Sequence, residues 1–203
     1  MRTLLRRVEA DPVKYLVPVF LACGTATHLR DEWWVNWVLG GCAGAVVVKV
    51  LKALVNERRP DGATKRDAGF PSSHAFTMTY LAMYVVLRHD WTVEASPAAV
   101  LLVVATLATG FDRVRRREHT VAQVGAGFAS GGLFSVAHNR WLVNGGGAAA
   151  VQRILNDASP STTMAMLAVL AIVTVSAVKV FRRFHVDGPG SSSDARGRAP
   201  STS

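Results

Sequence analysis

The chain has 203 residues, 50% of them hydrophobic, with a formal charge of +9 and a mean hydropathy of +0.23. Only 18% of residues are charged, below the roughly 25% of a typical soluble protein. The charges must be segregated, which argues for apolar spans joined by basic loops and against a basic nucleic-acid binder or a disordered chain.

A helix needs about 20 predominantly apolar residues to cross the hydrocarbon core, and six stretches approach that length. The N-terminal MRTLLRRVEADPVK is too short and too charged for a cleaved secretory signal and reads as a cytosolic amphipathic lead-in. Pro12 to His28 is the weakest span. Trp33 to Leu51 is broken only by Asn36 and Lys49, and its Trp33, Trp34 and Trp37 resemble an interfacial belt. Ala75 to Leu87 reaches spanning length if Ser72 and Ser73 start the helix, with Pro71 near its first turn. Pro97 to Phe111 is densely apolar. Val121 to Ala137 is rich in Gly and Ala, which lets neighbouring helices approach closely. Trp141 to Leu155, with Gly145, Gly146 and Gly147, reads as a loop or short interfacial helix and not a seventh span. Thr162 to Val178 carries no charge and is the clearest span. The expectation is an all-α, multi-pass membrane bundle of about six helices over residues 1–186. A disordered Gly/Ser/Pro/Arg tail follows over 187–203. Cys23 and Cys42 lie in apolar stretches and read as small core hydrophobes.

Six spans put both termini on one side of the membrane. That side collects Arg2, Arg6, Arg7 and Lys14, then Lys52, Arg58, Arg59, Lys65 and Arg66. It also takes Arg113, Arg115, Arg116 and Arg117, then Lys179, Arg182, Arg183, Arg196 and Arg198, eighteen in all. The opposite side has only Arg30, Arg88, Arg140 and Arg153. The positive-inside rule places the termini and the second and fourth loops in the cytoplasm or its equivalent.

Those two loops hold the chemistry. KALVNERRPDGATKRDAGFPSSHAF runs from Lys52 to Phe76, and FDRVRRREHTVAQV from Phe111 to Val124. One helical hairpin separates them, so they meet at one membrane surface. They supply three spaced cations (Lys52, Arg59, Arg113), two histidines (His74, His119) and the Ser72–Ser73 pair at a helix start. Cations and helix-start amides neutralise an anion, while two histidines divide nucleophile and acid roles. That equipment suits phosphoryl transfer with no metal or other cofactor. Arg115, Arg116, Arg117, Lys65 and Arg66 read as positive-inside charge that also attracts anionic headgroups. His28, His89, His138 and His185 sit at span ends or near the tail and need no function.

Lys52-x6-Arg59-Pro60, then Pro71-Ser72-Ser73-His74, then Arg113-x5-His119 resembles the three-part signature of the type 2 phosphatidic acid phosphatase superfamily, fold relatives of the vanadium haloperoxidases. The resemblance implies that Lys52, Arg59 and Arg113 hold the phosphate and that His119 attacks phosphorus to form a phosphohistidine. It further implies that His74 protonates the leaving oxygen and that backbone amides near Ser72 and Ser73 complete the cradle. Three positions depart from the pattern. Ser73 replaces a glycine, Asp112 a serine, and Gln123 the aspartate that orients the nucleophilic histidine and stabilises its cation. Gln123 lies one turn from His119, so its oxygen can accept the Nδ1 proton, but it brings no charge. Asp112 or Glu118 is the expected compensation.

The pair PSSH and HTxxQV looks like the branch holding dolichyl-diphosphate phosphatases and plastid-type lipid phosphate phosphatases. It implies a membrane enzyme that removes phosphate from a phosphatidate-like lipid or a polyprenyl diphosphate, with membrane lipids around it and no obligate protein partner. The membrane would be that of the endoplasmic reticulum or plastid in a eukaryote, or the plasma membrane in a bacterium. A catalytically silent lipid-binding relative of the same fold is the alternative, and a haloperoxidase, whose branch is soluble, is a distant third. The charge asymmetry makes a direct prediction. Single cysteines at Ser191 and Lys65, in a background lacking Cys23 and Cys42, should react with an impermeant thiol reagent from the same side. Labelling from opposite sides would refute six spans.

Overall fold

The computed structural model describes residue 28 and residues 31–64, 67–88 and 97–186. The expected first span and the C-terminal tail lie outside the described residues, as do Lys65 and Arg66. Every regular element among the described residues is a helix, in the order α1 (Glu32–Val55), α2 (Ser73–Arg88), α3 (Pro97–Arg115), α4 (Val121–Asn144), α5 (Gly147–Asp157) and α6 (Pro160–Val186).

Helix α1 starts at Asp31, whose carboxylate accepts the Trp33 N–H at 2.9 Å, with Glu32 in the first turn. This is an N-cap with the charge sign that a helix start favours. The helix ends where Asn56 turns left-handed (φ 45°) and returns its N–H to the Lys52 carbonyl. Asn36, Gly40, Gly44, Val48 and Lys52 are all buried. They recur every four residues and so form one stripe facing the bundle. Lys52 is the last member of that stripe, which is why a lysine on an apolar helix points inward.

Helix α4 is built the same way in reverse. Gln123, Gly127, Gly131 and Ser135 are buried at the same spacing, with Gln123 at the head. A Cβ at Gly127 would lie 2.6 Å from the Ser72 carbonyl oxygen, and one at Gly131 2.4 Å from the Phe76 carbonyl oxygen. The α4 backbone therefore rests directly on α2, its most extensive neighbour. Helix α2 is central, burying Ala75, Phe76, Met78, Tyr80, Leu81, Ala82 and Tyr84. Helix α3 crosses it with Thr106 Oγ1 donating to the Met78 carbonyl at 3.1 Å. The opposite face of α3 leaves Leu101, Val104, Leu107 and Phe111 more than half exposed. Helix α6 likewise exposes Val169, Ile172, Val173 and Val175. Apolar surface of this extent suits contact with lipid and not water. By length and composition α1 and the Pro160–Val180 part of α6 are apolar enough to cross a membrane, with mean hydropathies of 2.0 and 2.1.

The helix ends run past the expected spans. The third, fourth and last described helices continue beyond Phe111, Ala137 and Val178, because helical structure does not stop where hydropathy does. The Trp141–Leu155 segment divides at Gly145 and Gly146 (φ 71°) into the end of α4 and the 11-residue α5. Val151 and Leu155 of α5 pack with Val35 and Leu39 of α1 and with Leu167 of α6. Eleven residues cover only about 16 Å, so this is the short helix expected there. At the end of the bundle far from Lys52, Trp33, Trp34, Trp37, Tyr80, Tyr84, Phe134, His138 and Trp141 form a continuous aromatic cluster.

Two glycines of α4 give a matched test of the close contact. Gly131→Ala should destabilise the protein by about 1–3 kcal/mol through overpacking. Gly125→Ala, where nothing lies within 4 Å of the added atom, should be neutral or stabilising. Thermal unfolding of the two variants in one detergent checks this, and equal midpoints would contradict it.

Candidate active site

Helix α1 ends, α2 begins, α3 ends and α4 begins at one end of the bundle, and this end gathers the residues singled out in the sequence. Lys52 occupies the last turn of α1, buried, with Nζ donating to the Ala68 carbonyl. Arg59 follows in the α1–α2 loop, Ser72 precedes α2, and Ser73 and His74 open it. Arg113 lies buried in the last turn of α3. Its carbonyl accepts the N–H of Glu118 at 3.0 Å and of His119 at 3.3 Å, while Arg117 turns left-handed (φ 55°). This tight turn folds His119 back beside the end of α3.

Direct contacts around the Arg59 guanidinium define the centre. Arg59 Nη1 lies 2.9 Å from His119 Nε2 and 2.9 Å from the Glu118 carbonyl. Arg59 Nε and Nη2 each lie 3.0 Å from Asp67 Oδ1. Arg59 Nη1 is 3.6 Å from Glu118 Oε2, while Glu118 Oε1 accepts from Thr64 Oγ1. The guanidinium is thus held on two sides and pointed at the imidazole. Only 8% of the Arg59 side chain is exposed.

Gln123 determines the chemistry of the ring. Its Oε1 lies 3.3 Å from the Thr120 N–H, and Thr120 Oγ1 accepts the Gln123 N–H at 3.2 Å, a reciprocal cap for α4. Its Nε2 donates to Glu57 Oε1 at 2.8 Å and to the Arg58 carbonyl at 2.9 Å. A backbone N–H can only donate and a carbonyl can only accept, so the amide has one possible orientation. Its oxygen then faces His119 Nδ1 at 3.1 Å, which requires the hydrogen on Nδ1. Nε2 is left as a lone pair facing Arg59. The tautomer follows from the partners of Gln123.

Burial is the largest influence on the imidazole and disfavours its charge, and the Arg59 guanidinium adds repulsion. Lys52 and His74 push the same way, and only the Gln123 hydrogen bond opposes them. The His119 pKa is depressed to about 4. Burial works against ionisation of Asp67, but Arg59, Lys52 and Lys49 outweigh it and hold the carboxyl below its ordinary range.

The serine pair behaves in two ways. The Ser72 N–H donates to the Gln123 carbonyl at 2.9 Å, and its own carbonyl receives the Phe76 N–H at 3.0 Å. The Ser72 amide is therefore committed to joining α2 to α4 and is not a spare donor. The Ser72 and Ser73 hydroxyl oxygens are buried without a hydrogen-bond partner. The first-turn amides of α2, beginning with Ser73, have no acceptor within a helix by construction. A helix start of this kind suits an anion.

Neither expected substitute for the missing aspartate serves that role. Asp112 is turned to the exposed Arg115 and Arg116, at 3.4 and 2.7 Å. Glu118 is engaged by Thr64 and Arg59. The carboxylate on Gln123 is Glu57, which sequence reading passed over along with Asp67, Thr64 and Gly69. A Cβ at Gly69 would stand 2.6 to 2.8 Å from the Gln123 amide atoms, so only glycine admits Gln123 here. Acidic residues within a basic loop give no local signal. The Arg59-Pro60 and His119-x3-Gln123 spacings needed only the chain itself. Among the described residues no group of three or more His, Cys, Asp and Glu side chains is placed to hold a metal ion.

Comparison with known proteins bears on this end of the bundle. The family model described as the PAP2 superfamily matches residues 33–147, which contain all the residues above. Lipid phosphate phosphatase epsilon 1, chloroplastic, of Arabidopsis thaliana is 30% identical over 128 residues, 61% of this chain and 45% of the relative. Lipid phosphate phosphatase epsilon 2, chloroplastic, from the same plant is 26% identical over 160 residues, 76% of this chain and 53% of the relative. Lipid phosphate phosphatase gamma, also of Arabidopsis thaliana, is 30% identical over 149 residues, 64% of this chain and 63% of the relative. The chain spans about half the length of the first two. No solved structure gives a significant match.

The geometry around Arg59 sets the sign of a titration experiment. Removing a positive charge beside a group that becomes positive on protonation makes protonation easier. In Arg59→Gln the His119 midpoint should rise from about 4 toward the ordinary imidazole value near 6.5. Imidazole NMR titration, with His119 assigned from a His119→Ala spectrum, measures it. A midpoint that stays in place would show that Arg59 does not act on the ring.

Proposed function

The chain is a member of the PAP2 superfamily, and from that premise we propose that it is a membrane phosphatase. Its substrate would be a lipid phosphate or polyprenyl diphosphate, hydrolysed through a phosphohistidine on His119. The observation that carries the reading is the unprotonated Nε2 of His119 2.9 Å from the Arg59 guanidinium. A nucleophilic lone pair and a phosphate-binding cation share one point, and the low pKa keeps that lone pair available at neutral pH. The relatives named as lipid phosphate phosphatases support a lipid phosphate substrate, and their chloroplastic names support a plastid-type membrane.

In the first step the Nε2 lone pair forms the N–P bond as the P–O bond to the lipid breaks. His74 delivers a proton to the departing oxygen. In the second step water attacks the phosphohistidine while His74 takes up its proton, inorganic phosphate leaves and His119 regains its lone pair. Lys52, Arg59 and Arg113 neutralise the phosphoryl oxygens, with Ser72 and Ser73 completing the cradle through hydroxyls and the Ser73 amide. Gln123 orients the ring. The apolar outer faces of α3 and α6 support a multi-pass arrangement, and the excess of lysine and arginine in the site-bearing loops supports this end of the bundle at the cytoplasm-equivalent surface.

Phosphate release from phosphatidate and from a polyprenyl diphosphate, assayed in detergent with EDTA present, tests the reading. Activity should survive EDTA. His119→Ala should abolish turnover and any trapped phosphoenzyme. His74→Ala should lose about 10²–10⁴-fold on phosphatidate, whose alkoxide needs the proton. It should lose much less on p-nitrophenyl phosphate or on the diphosphate. A phosphoenzyme in His119→Ala, or equal losses on all substrates in His74→Ala, would overturn the assigned roles.

A further inference from the structure

We propose, resting on the phosphatase reading above, that Glu57 is a positioning residue for the reaction. Its carboxylate acts through the side-chain amide of Gln123 to hold His119 and to stabilise the ring when it becomes positive. An imidazole that keeps its Nδ1 hydrogen and forms an Nε2–P bond is cationic, and the Nδ1–H then leans more heavily on Gln123 Oε1, 3.1 Å away. A neutral amide has no charge of its own to answer with. Its N–H end, however, donates to Glu57 Oε1 at 2.8 Å. A carboxylate drawing on an amide N–H polarises the whole amide and makes its oxygen a better acceptor. The negative charge is thereby placed one residue behind the group that touches the ring.

The surroundings are arranged for this link. Gln123 is completely buried, and its orientation is determined by Thr120 and Arg58 as derived above. The Glu57 backbone is held by its own carbonyl, which accepts the Gly69 N–H at 2.6 Å. Gly69 also leaves the space that Gln123 fills. The other charged and titratable groups around the ring are Lys52 from α1, Arg59 and Asp67 from the loop, His74 from α2, and Arg113 and Glu118 from the end of α3. The cations oppose a positive ring, Asp67 and Glu118 are spent on Arg59, and Glu57 joins the ring through Gln123. Residue Glu57 is solvent-exposed, so its effect has the size of one hydrogen bond and not of a buried ion pair.

Glu57→Gln preserves size and removes the charge. In the full chain in detergent it should lower kcat on phosphatidate about twofold to tenfold with KM unchanged. It should also move the His119 NMR midpoint below that of the wild type, since a stabiliser of the cation has gone. In a Gln123→Met background, which severs the link, the same substitution should change neither quantity. Unchanged kcat with an unmoved midpoint, or equal losses in both backgrounds, would overturn the proposal. If Gln123→Met fails to fold, the two readouts on Glu57→Gln alone decide. A wild-type protein that hydrolyses neither phosphatidate nor a polyprenyl diphosphate would instead overturn the phosphatase reading. The His119 midpoint, which needs no turnover, would still decide whether Glu57 acts on the ring.

Discussion

The site depends on how closely the backbone of α4 approaches that of α2. Gly127 and Gly131 have no Cβ, and the space it would take is occupied by the carbonyls of Ser72 and Phe76. In lipid there is no hydrophobic force between helices, so association rests on such small-residue contact and on hydrogen bonds. The start of α4 therefore lies against the start of α2, where the Gln123 carbonyl takes the Ser72 N–H. His119 and His74, 45 residues apart in the chain, are neighbours because two glycines let two helices touch.

A second constraint is electrostatic. Lys52 and Arg59 both act on His119, in a region where burial makes uncompensated charge costly. Arg59 is held by Asp67 and by the Glu118 carbonyl and carboxylate, which keep it in place without cancelling its effect on His119. Burial first, and the positive cluster second, depress the imidazole, and the same cluster holds Asp67 below its ordinary range. A histidine intended to stay neutral and nucleophilic gains from cations nearby, whereas one intended to serve as a cation would not.

The cations, the histidines and the helical layout were legible in the sequence, because spacing and hydropathy are properties of the chain itself. Lys52-x6-Arg59 and Arg113-x5-His119 could be read as a pattern, and the Gly-rich stretch after Val121 announced close packing. The loop acids could not be read in this way. Asp67 and Glu57 look like any solvated charge in a basic loop, and their roles come from contacts across the fold, such as the 66-residue separation between Glu57 and Gln123. Sequence proximity also misled. Asp112 and Glu118 both come shortly before His119 in the chain, yet Asp112 pairs at helical spacing with surface Arg115 and Arg116, and Glu118 is engaged by Thr64 and Arg59. The Ser72 amide, expected at the phosphate, is instead the fastening between two helices.

The far end of the bundle has its own bearing on this geometry. Tyr80 and Tyr84, successive turns of α2, hand their hydroxyl hydrogens to the main-chain carbonyls of Trp37 and Trp33, at 3.0 and 3.3 Å. Those two carbonyls lie one turn apart on α1, so the pair works like two teeth of a rack. Sliding α1 along its axis would disengage both at once, and the next matching position is a full turn, about 5.4 Å, away. Helix α1 runs unbroken between that rack and Lys52. The axial position of a cation at one end of the bundle is therefore indexed by two tyrosines near the other end.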